Sequence, residues 1–186
     1  MKIILIRHGK TAGNLEKRYI GITDESLCDA GKRELAAREY PDCNLVVSST
    51  MKRCEESAKI IYPEKKILLF SELNECDFGV FEWKNYSELS EDQDYQKWLN
   101  SKGQLPFPDG EDPEEFKERC SAGFMKIIDG CAECDTLSFV IHGGTIMSIM
   151  EKFALPTRGF YGYQVPNGGG YVAEWDGKNI VNAEIL

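Results

Sequence analysis

The chain has 186 residues, of which 22 are basic and 31 acidic, so its formal net charge is −9. This length fits one domain with a sizeable core, and a content of 42% hydrophobic and 11% aromatic residues is that of a globular rather than a disordered protein. The acidic balance argues against nucleic acid or an anionic membrane as a partner, because both require a broad basic surface.

The apolar runs and the cysteines bear on the cellular setting. The first apolar run has four residues before charges follow, which is too short for a signal peptide, and no run approaches the roughly 20 residues of a membrane span. The seven cysteines form no apparent disulfide framework, so we expect a reduced, cytoplasmic protein. Cys131 and Cys134 form a CxxC pair, but no second pair completes a zinc site, and we expect neither metal nor cofactor.

The predicted elements alternate between strands and helices. In chain order they are a strand at 2–6, a helix at 28–39, a strand at 44–48, a helix at 51–61, a strand at 67–70, a helix at 112–129, a strand at 136–142, a helix at 145–153 and a hairpin of strands at 170–175 and 179–186. Asp112 is expected to cap the long helix, with Pro113 at its first position. This order predicts an α/β fold, a three-layer sandwich in one domain whose mainly parallel central sheet carries helices on both faces.

The two histidines of the chain stand in the same local setting. His8 ends the run KIILIRHG and His142 ends the run LSFVIHGG, so each follows an apolar stretch and precedes glycine. Open α/β sheets bind their ligands at the carboxyl ends of the strands, where these two side chains are predicted to meet in one crevice. The alternative is that both are hydrogen-bonded polar residues at strand ends, and the shared context argues against it.

Side chains that suit a phosphate group follow the first strand. Glycines in RHGKTAGNLEKR let the backbone approach an anion, and an arginine fork binds two phosphate oxygens at once. Arg53 follows the next strand at the start of a helix that Ser48 and Ser49 are expected to cap. The predicted phosphoryl pocket consists of Arg7, His8, Asn14, Arg53 and His142, and Thr11, Lys10 and Arg18 are, with Asn14, the candidate substrate- and phosphate-binding residues.

Taken together, these motifs resemble those of the histidine phosphatase superfamily, which includes cofactor-dependent phosphoglycerate mutases and many phosphatases. The matching positions are Arg7, His8, Gly9, Thr11 and Asn14; Gly21, Asp24, Leu27 and Gly31; Ser48, Ser49 and Arg53; Leu73, Glu75, Phe78, Gly79 and Glu82; and His142. Lys10 is a departure, since acidic or amide residues are commoner there. We expect Lys10 and Arg18 at the rim of the phosphate site or in solvent rather than in catalysis.

The resemblance implies a role for each residue of the pocket. His8 would attack phosphorus and carry the phosphoryl group, because an imidazole with a pKa of about 6.5 is largely neutral at pH 7. Arg7, Arg53 and His142 would stabilise charge on the transferred oxygens. Asn14 would donate a further hydrogen bond.

The resemblance also implies a general acid. Glu75 would protonate the leaving alcohol and then activate water against the phosphohistidine. The nearby carboxylates Glu72, Asp77 and Glu82 could share or replace this role.

Three functions remain open at this point: a phosphatase of a small phosphate ester, a phosphoglycerate mutase, and a protein phosphatase or non-catalytic module that binds phosphate. The segment 80–116 is expected to lie over the pocket as a lid, and it carries ten acidic residues, three lysines and seven aromatic residues. A mutase substrate has a carboxylate besides its phosphate, which an acidic segment suits poorly. Aromatic side chains suit an aromatic ester, unless they only form the core of the lid.

The substrate prediction rests on a narrower likeness. The DFGxxE element and the pattern Pro108, Gly110 and Glu111 resemble the α-ribazole-phosphate phosphatases of cobalamin assembly. We therefore expect a metal-independent phosphatase, acting as a monomer or homodimer on a small-molecule phosphate ester. α-Ribazole 5′-phosphate is the first candidate, and a sugar phosphate or a broad specificity is the alternative.

Overall fold

The computed structural model describes all 186 residues. The α-helices are α1 (Ala12–Leu15), α2 (Asp29–Ala36), α3 (Lys52–Ile61), α4 (Tyr86–Leu89), α5 (Gln93–Asn100), α6 (Pro113–Gly130) and α7 (Gly143–Phe153). The strands are β1 (Lys2–Arg7), β2 (Leu45–Ser48), β3 (Ile67–Leu69), β4 (Thr136–Ile141), β5 (Gly170–Trp175) and β6 (Ile180–Ile185). Single turns of 3-10 helix lie at Ser71–Leu73, Gly79–Phe81 and Phe160–Tyr163.

The strands form one sheet in the order β3-β2-β4-β1-β5-β6. The pairs β3–β2, β2–β4 and β4–β1 are parallel, whereas β5 runs antiparallel to β1 and to β6. The last two strands are the predicted terminal hairpin. The prediction of an α/β fold with a mainly parallel sheet is confirmed.

Both faces of this sheet are covered, because alternate side chains of a strand point to opposite faces. On one face Ile3 and Leu5 belong to a buried cluster with apolar residues of α6 and α7. On the other face Ile4 and Ile6 pack with Ala58 of α3. The result is the predicted three-layer sandwich.

Most predicted boundaries agree with the structure to within a residue or two. Asp112 caps α6 as expected, since its side chain accepts hydrogen bonds from the backbone of Glu114 and Glu115. The helix predicted at 28–39 is shorter and ends at Ala36. The helix predicted at 145–153 begins two residues earlier, because β4 stops at Ile141 and His142 takes the position before the first helical turn.

The 80–116 segment contains structure that the periodicity did not reveal. Helices α4 and α5 are short and begin at side-chain caps, Asn85 and Asp92. Their apolar residues pack into a separate cluster that includes Phe81, Leu89 and Tyr95. This small core gives the segment its own internal packing beside the sheet.

The CxxC pair lies in the turn between α6 and β4. Cys131 and Cys134 are half-buried, and all seven cysteines are free thiols. Burial raises the pKa of Cys131, which is the opposite of what activates a thiol. No group of three or more histidine, cysteine or carboxylate side chains is arranged to hold a metal ion. None of the helices has the length and apolar composition needed to cross a membrane.

The larger core predicts a strong effect for one substitution. Phe124 is fully buried and its ring lies 5.3 Å from that of Phe139 and 5.6 Å from that of Trp175. Phe124→Ala should lower the free energy of unfolding by about 3–5 kcal/mol, measured by urea denaturation, because it leaves a cavity. Leu69→Ala, at a half-exposed edge position, should cost less than about 1 kcal/mol. Equal losses would contradict this assignment of the core.

Candidate active site

A cavity of about 690 Å³ opens at the carboxyl ends of β1 and β4. Arg7 and His8 line it from the end of β1, and Gly143 and Gly144 line it from the start of α7. Its volume lies within the roughly 300–1,000 Å³ typical of small-molecule sites. The sheet therefore presents its ligand cavity at the edge where the sequence predicts one.

The pairing of β1 with β4 brings the two histidines together. Arg7 is in register with Ile141, and the backbone N–H of His8 donates to the carbonyl of Ile141 at 2.9 Å. The imidazole centroids of His8 and His142 are 5.2 Å apart, with the rings inclined at 66°. The predicted meeting of the two side chains is present in the structure.

The imidazole of His8 has a defined tautomer. Its Nδ1 lies 2.7 Å from the carbonyl oxygen of Gly9, and a carbonyl only accepts, so Nδ1 carries the proton and Nε2 keeps its lone pair. Burial, followed by the charges of Arg53 and Arg7, holds the pKa of His8 well below its usual value. His8 is therefore neutral at pH 7 and able to act as a nucleophile at the cavity wall.

Arg53 and His142 lie behind this wall rather than in it. Both are fully buried, and neither is among the residues that line the cavity. Arg53 donates from Nε to His142 Nδ1 at 3.2 Å, and its other nitrogens donate to backbone carbonyls, including those of Thr23 (2.7 Å) and Gly21 (2.8 Å). The resemblance implies that both side chains contact the phosphoryl group directly. Such contact requires each of them to give up some of its present hydrogen bonds.

The other ring nitrogen of His142 is also occupied. Because Nδ1 accepts from Arg53, the proton lies on Nε2, which donates to Ser49 Oγ at 2.8 Å. The expectation that Ser48 and Ser49 cap α3 is wrong, since Met51 precedes the helix without a side-chain cap and Ser48 Oγ donates to the carbonyl of Val140. Instead, Ser49 holds the second histidine.

Arg7 and Asn14 both line the cavity. Arg7 donates from one terminal nitrogen to the carbonyl of Val165 at 2.9 Å, while its buried Nε has no hydrogen-bond partner. An unpaired guanidinium donor is a group that an anion can satisfy. Thr11 is fully buried outside the lining, where it caps α1 and accepts from the backbone N–H of Asn14.

The two flanking cations occupy different places. Lys10 is not part of the cavity wall, because its ammonium pairs with Glu34 of α2 at 2.7 Å. Arg18 does line the cavity, but its guanidinium is bound by Glu16 and Glu88 at 2.6 Å each. Neither side chain is a free phosphate donor in this geometry.

Glu75 is a buried carboxylate in the cavity wall. Its oxygens accept from the backbone N–H groups of Cys76 at 3.0 Å and Gly144 at 3.1 Å. Burial raises the pKa of Glu75, against the opposing effects of these hydrogen bonds and of Arg53 and Arg7. A carboxyl group with a raised pKa suits general acid catalysis near neutral pH.

The three alternative carboxylates are engaged elsewhere. Glu72 pairs with Lys126, and the side chain of Asp77 accepts from a backbone N–H two residues on. Glu82 accepts from the backbone N–H groups of the loop at 21–23. None of the three lines the cavity, which leaves Glu75 as the carboxylate of this group that faces it.

The family can now be assigned. A family model described as histidine phosphatase superfamily (branch 1) matches residues 3–185. The chain belongs to this superfamily. The two histidines at the sheet edge, with Arg7, Asn14 and Glu75 lining the adjoining cavity, are thus the candidate active site of a histidine phosphatase family member.

Relatives of this histidine phosphatase chain carry two kinds of name. An adenosylcobalamin/alpha-ribazole phosphatase of Salmonella typhimurium is 23% identical over 178 residues, covering 90% of the chain and 87% of the relative. Phosphoglycerate mutase-like protein 4 of Arabidopsis thaliana is 28% identical over 162 residues, covering 81% of the chain and 70% of the relative. Both phosphatase and mutase names thus occur among its relatives.

Solved structures that resemble this chain also include both a phosphatase and a mutase. A putative alpha-ribazole-5′-P phosphatase from Escherichia coli superposes with a TM-score of 0.88 at 20% identity, covering all of this chain and 95% of that one. A phosphoglycerate mutase from Thermus thermophilus superposes with a TM-score of 0.75 at 24% identity, with 100% and 99% covered. At these identities the likeness shows the fold that the histidine phosphatase chain adopts.

The aromatic residues of the 80–116 segment divide between the cavity and the segment's own core. Phe81 and Tyr95 are buried and do not line the cavity, and Trp83 and Tyr86 are exposed. The three that do line it are Trp98, Phe107 and Phe116. The remaining aromatic residues of the wall come from outside the segment and are Tyr19, Phe78, Phe160 and Tyr161. The expected aromatic wall exists, but less than half of the segment's aromatic residues contribute to it.

Two further residues at the site escaped the sequence reasoning. Asn167 lines the cavity and donates a hydrogen bond to the carbonyl of His8, just after β1. Its only local signal in the sequence is an Asn-Gly pair before the last hairpin. Arg119 of α6 forms a bidentate pair with Glu111 and donates to the carbonyls of Glu72 and Asn74. It thereby holds the turn that presents Glu75.

The buried imidazoles predict a pH-dependent stability. Burial and the neighbouring charges lower the pKa of both His8 and His142, so below about pH 6.5 the unfolded chain binds protons that the folded chain does not. Their contribution to stability is present above pH 6.5 and is lost as the pH falls, by at most about 1.4 kcal/mol per pH unit for each histidine.

Urea denaturation of the wild type and of His142→Gln, at about pH 7.5 and about pH 5.5, measures this effect. The difference in unfolding free energy between the two proteins should shrink at the lower pH, because only the wild type loses the His142 contribution. A difference that does not change with pH would contradict the buried, neutral assignment.

Proposed function

We propose that this protein is a phosphatase that hydrolyses a small phosphomonoester through a phosphohistidine formed on His8. The observation that carries the proposal is the fixed tautomer of His8, whose bond to the Gly9 carbonyl leaves Nε2 unprotonated at the wall of the cavity. Glu75, a carboxyl group with a raised pKa, lines the same cavity and supplies the acid. Nucleophile and proton donor therefore share one enclosed space.

In the first step His8 Nε2 forms a bond to phosphorus and the ester P–O bond breaks. The leaving oxygen takes its proton from Glu75, which becomes a carboxylate. The guanidinium of Arg7 and the amide of Asn14, which both line the cavity, donate to the phosphoryl oxygens during this transfer. Arg53 adds positive charge from behind His8, where its guanidinium is held by backbone carbonyls.

In the second step water replaces the alcohol. The Glu75 carboxylate takes a proton from the water as its oxygen attacks phosphorus, and the P–N bond to His8 breaks. Inorganic phosphate is released, and Nε2 of His8 and the proton on Glu75 are both restored. The two hydrogen bonds from Cys76 and Gly144 stabilise the carboxylate between the steps.

The walls of the cavity support an ester with an aromatic group as substrate. Aromatic side chains line it on several sides, and a flat ring can stack on them. The names of the Salmonella and Escherichia coli relatives point to α-ribazole 5′-phosphate, which has such a group and would place the protein in cobalamin biosynthesis. This ester is the proposed substrate.

A phosphoglycerate mutase is the second candidate, and two lysines favour it. Lys17 and Lys102 line the cavity and neither forms an ion pair, whereas the other cavity lysine, Lys117, is paired with Glu114 and Glu151. Two free ammonium groups suit a substrate with a carboxylate beside its phosphate. The 80–116 segment is acidic in sum, but Lys102 places a positive charge on its cavity side.

Product analysis separates the two candidates. Purified protein in the presence of a chelator should release inorganic phosphate from α-ribazole 5′-phosphate. The His8→Ala variant should release none while keeping the same fold. Interconversion of 3- and 2-phosphoglycerate without phosphate release would instead identify a mutase. Turnover of neither compound, nor of a broad panel of phosphate esters and phosphoproteins, would favour a non-catalytic module that binds phosphate. Loss of activity with the chelator would contradict the metal-independent mechanism.

The role of Glu75 predicts a dependence on the leaving group. Glu75→Gln should lower kcat for an alkyl phosphate by about 10²–10⁴-fold, because glutamine donates no proton to the alkoxide. The loss on p-nitrophenyl phosphate should be much smaller, since p-nitrophenolate leaves without protonation. Steady-state kinetics on the two esters measures the difference, and equal losses would assign the acid role to another group.

A glycine offers an independent check of the same role. A Cβ at Gly144 would lie 2.3 Å from Glu75 Oε1, so Gly144→Ala must displace the carboxyl group. We expect about a ten- to hundredfold loss on the alkyl ester and less on p-nitrophenyl phosphate. Gly130→Ala at the end of α6 is the matched control, because a Cβ there meets nothing within 4 Å. Its kinetics should equal those of the wild type.

A further inference from the structure

The turn before β5 is bound to the end of β1, where His8 begins the site. The N–H of Gly168 donates to the carbonyl of Arg7 at 2.9 Å, and the N–H of Arg7 donates to the carbonyl of Gly169 at the same distance. Asn167 lies between these bonds and lines the cavity. Its side chain is therefore fixed against the segment that carries the nucleophile.

Backbone partners determine which end of the Asn167 amide faces this segment. Nδ2 lies 3.1 Å from the carbonyl oxygen of His8 and 3.5 Å from that of Gly9. Carbonyl oxygens only accept hydrogen bonds, so the atom that faces them must be the nitrogen. The same nitrogen lies 3.1 Å from Oδ1 of Asn14 and donates to it.

The amide of Asn14 is determined in the same way. Its Oδ1 accepts from the backbone N–H of Thr11 at 3.2 Å, and an N–H only donates, so the atom in this position must be the oxygen. With Oδ1 bound by Thr11 and by Asn167, Nδ2 of Asn14 is left without a protein partner. Asn14 lines the cavity together with His8.

We infer that Asn167 is a positioning residue that holds the Asn14 amide with its NH₂ group toward the transferred phosphoryl group. This inference rests on the proposed function, because it assigns the free Nδ2 of Asn14 to the phosphoryl oxygens. A flipped Asn14 would present its carbonyl oxygen to those anionic oxygens and would repel them. The hydrogen bond from Asn167 opposes that flip, because the donor Asn167 Nδ2 needs the acceptor oxygen of Asn14 on this side.

The test is a double-mutant cycle on the binding of inorganic phosphate, measured by titration calorimetry. Asn14→Ala should weaken binding about ten- to hundredfold, as expected for loss of a hydrogen bond to a charged group. Asn167→Ala and Asn167→Leu should each weaken it about two- to tenfold, because both remove the amide although they differ in volume. Neither change should weaken binding further when Asn14 is already alanine.

The control is Tyr40→Phe. Tyr40 donates to the carbonyl of Gly168 at 3.0 Å, so this change loosens the same turn without touching Asn14. Phosphate binding should be unchanged. Denaturation curves for every variant confirm that folded protein is being compared, and the losses should appear in the Kd for phosphate rather than in the unfolding free energy.

Three results would overturn the inference. The first is an equal loss of phosphate affinity from Asn167→Ala in the wild type and in Asn14→Ala. The second is a loss from Tyr40→Phe as large as that from Asn167→Ala. The third is a larger loss for Asn167→Ala than for Asn167→Leu, which would indicate a packing role. Failure of the wild type to bind phosphate or to hydrolyse any ester would be seen before the variants are compared. That result would overturn the proposed function, and the inference with it.

Discussion

The candidate active site depends on the register between β1 and β4. The ladder that pairs Lys2–Arg7 with Thr136–Ile141 ends on both strands at the residue before a histidine, and the His8 N–H extends it by one bond. A shift of one residue would turn the apolar residues of β1 to the wrong faces of the sheet. The two buried clusters that fix Ile3 and Ile4 on opposite faces therefore also fix the distance between the two imidazoles.

Burial then sets the protonation of each group that this register assembles. Near Arg7 and Arg53 both imidazoles have a lowered pKa and stay neutral, while burial raises the pKa of Glu75 even though the same two arginines oppose it. The site thus combines neutral imidazoles with a carboxyl group whose pKa is raised, although it contains two guanidinium groups. The buried Arg53 guanidinium has hydrogen-bond partners at this depth, because backbone carbonyls of the 20–23 loop accept from it.

What the sequence predicts and what it does not can be followed residue by residue. Local signals predict most of the framework. The apolar runs predict the strands, and the cap at Asp112 predicts the start of α6. The glycines after the two histidines, at the ends of two strands, predict that His8 and His142 meet. Asn167 is different, because its role exists only after β5 returns antiparallel to β1, a long-range pairing that no local pattern shows. Proximity in sequence predicts Lys10 near the pocket, whereas its ion pair with Glu34 of α2 holds its ammonium away from the cavity wall. The periodicity does not predict helices α4 and α5, because their apolar residues pack into a separate small core.

The separate core of the 80–116 segment uncouples its packing from the carboxyl edge of the sheet. The residues proposed to act on the phosphoryl group all lie outside the 80–116 segment, whereas the segment supplies only wall positions such as Trp98, Lys102 and Phe107. Because it packs largely on itself, changes within it need not disturb the sheet edge. Part of the cavity wall is therefore supplied by a different stretch of the chain from the residues proposed to transfer the phosphoryl group.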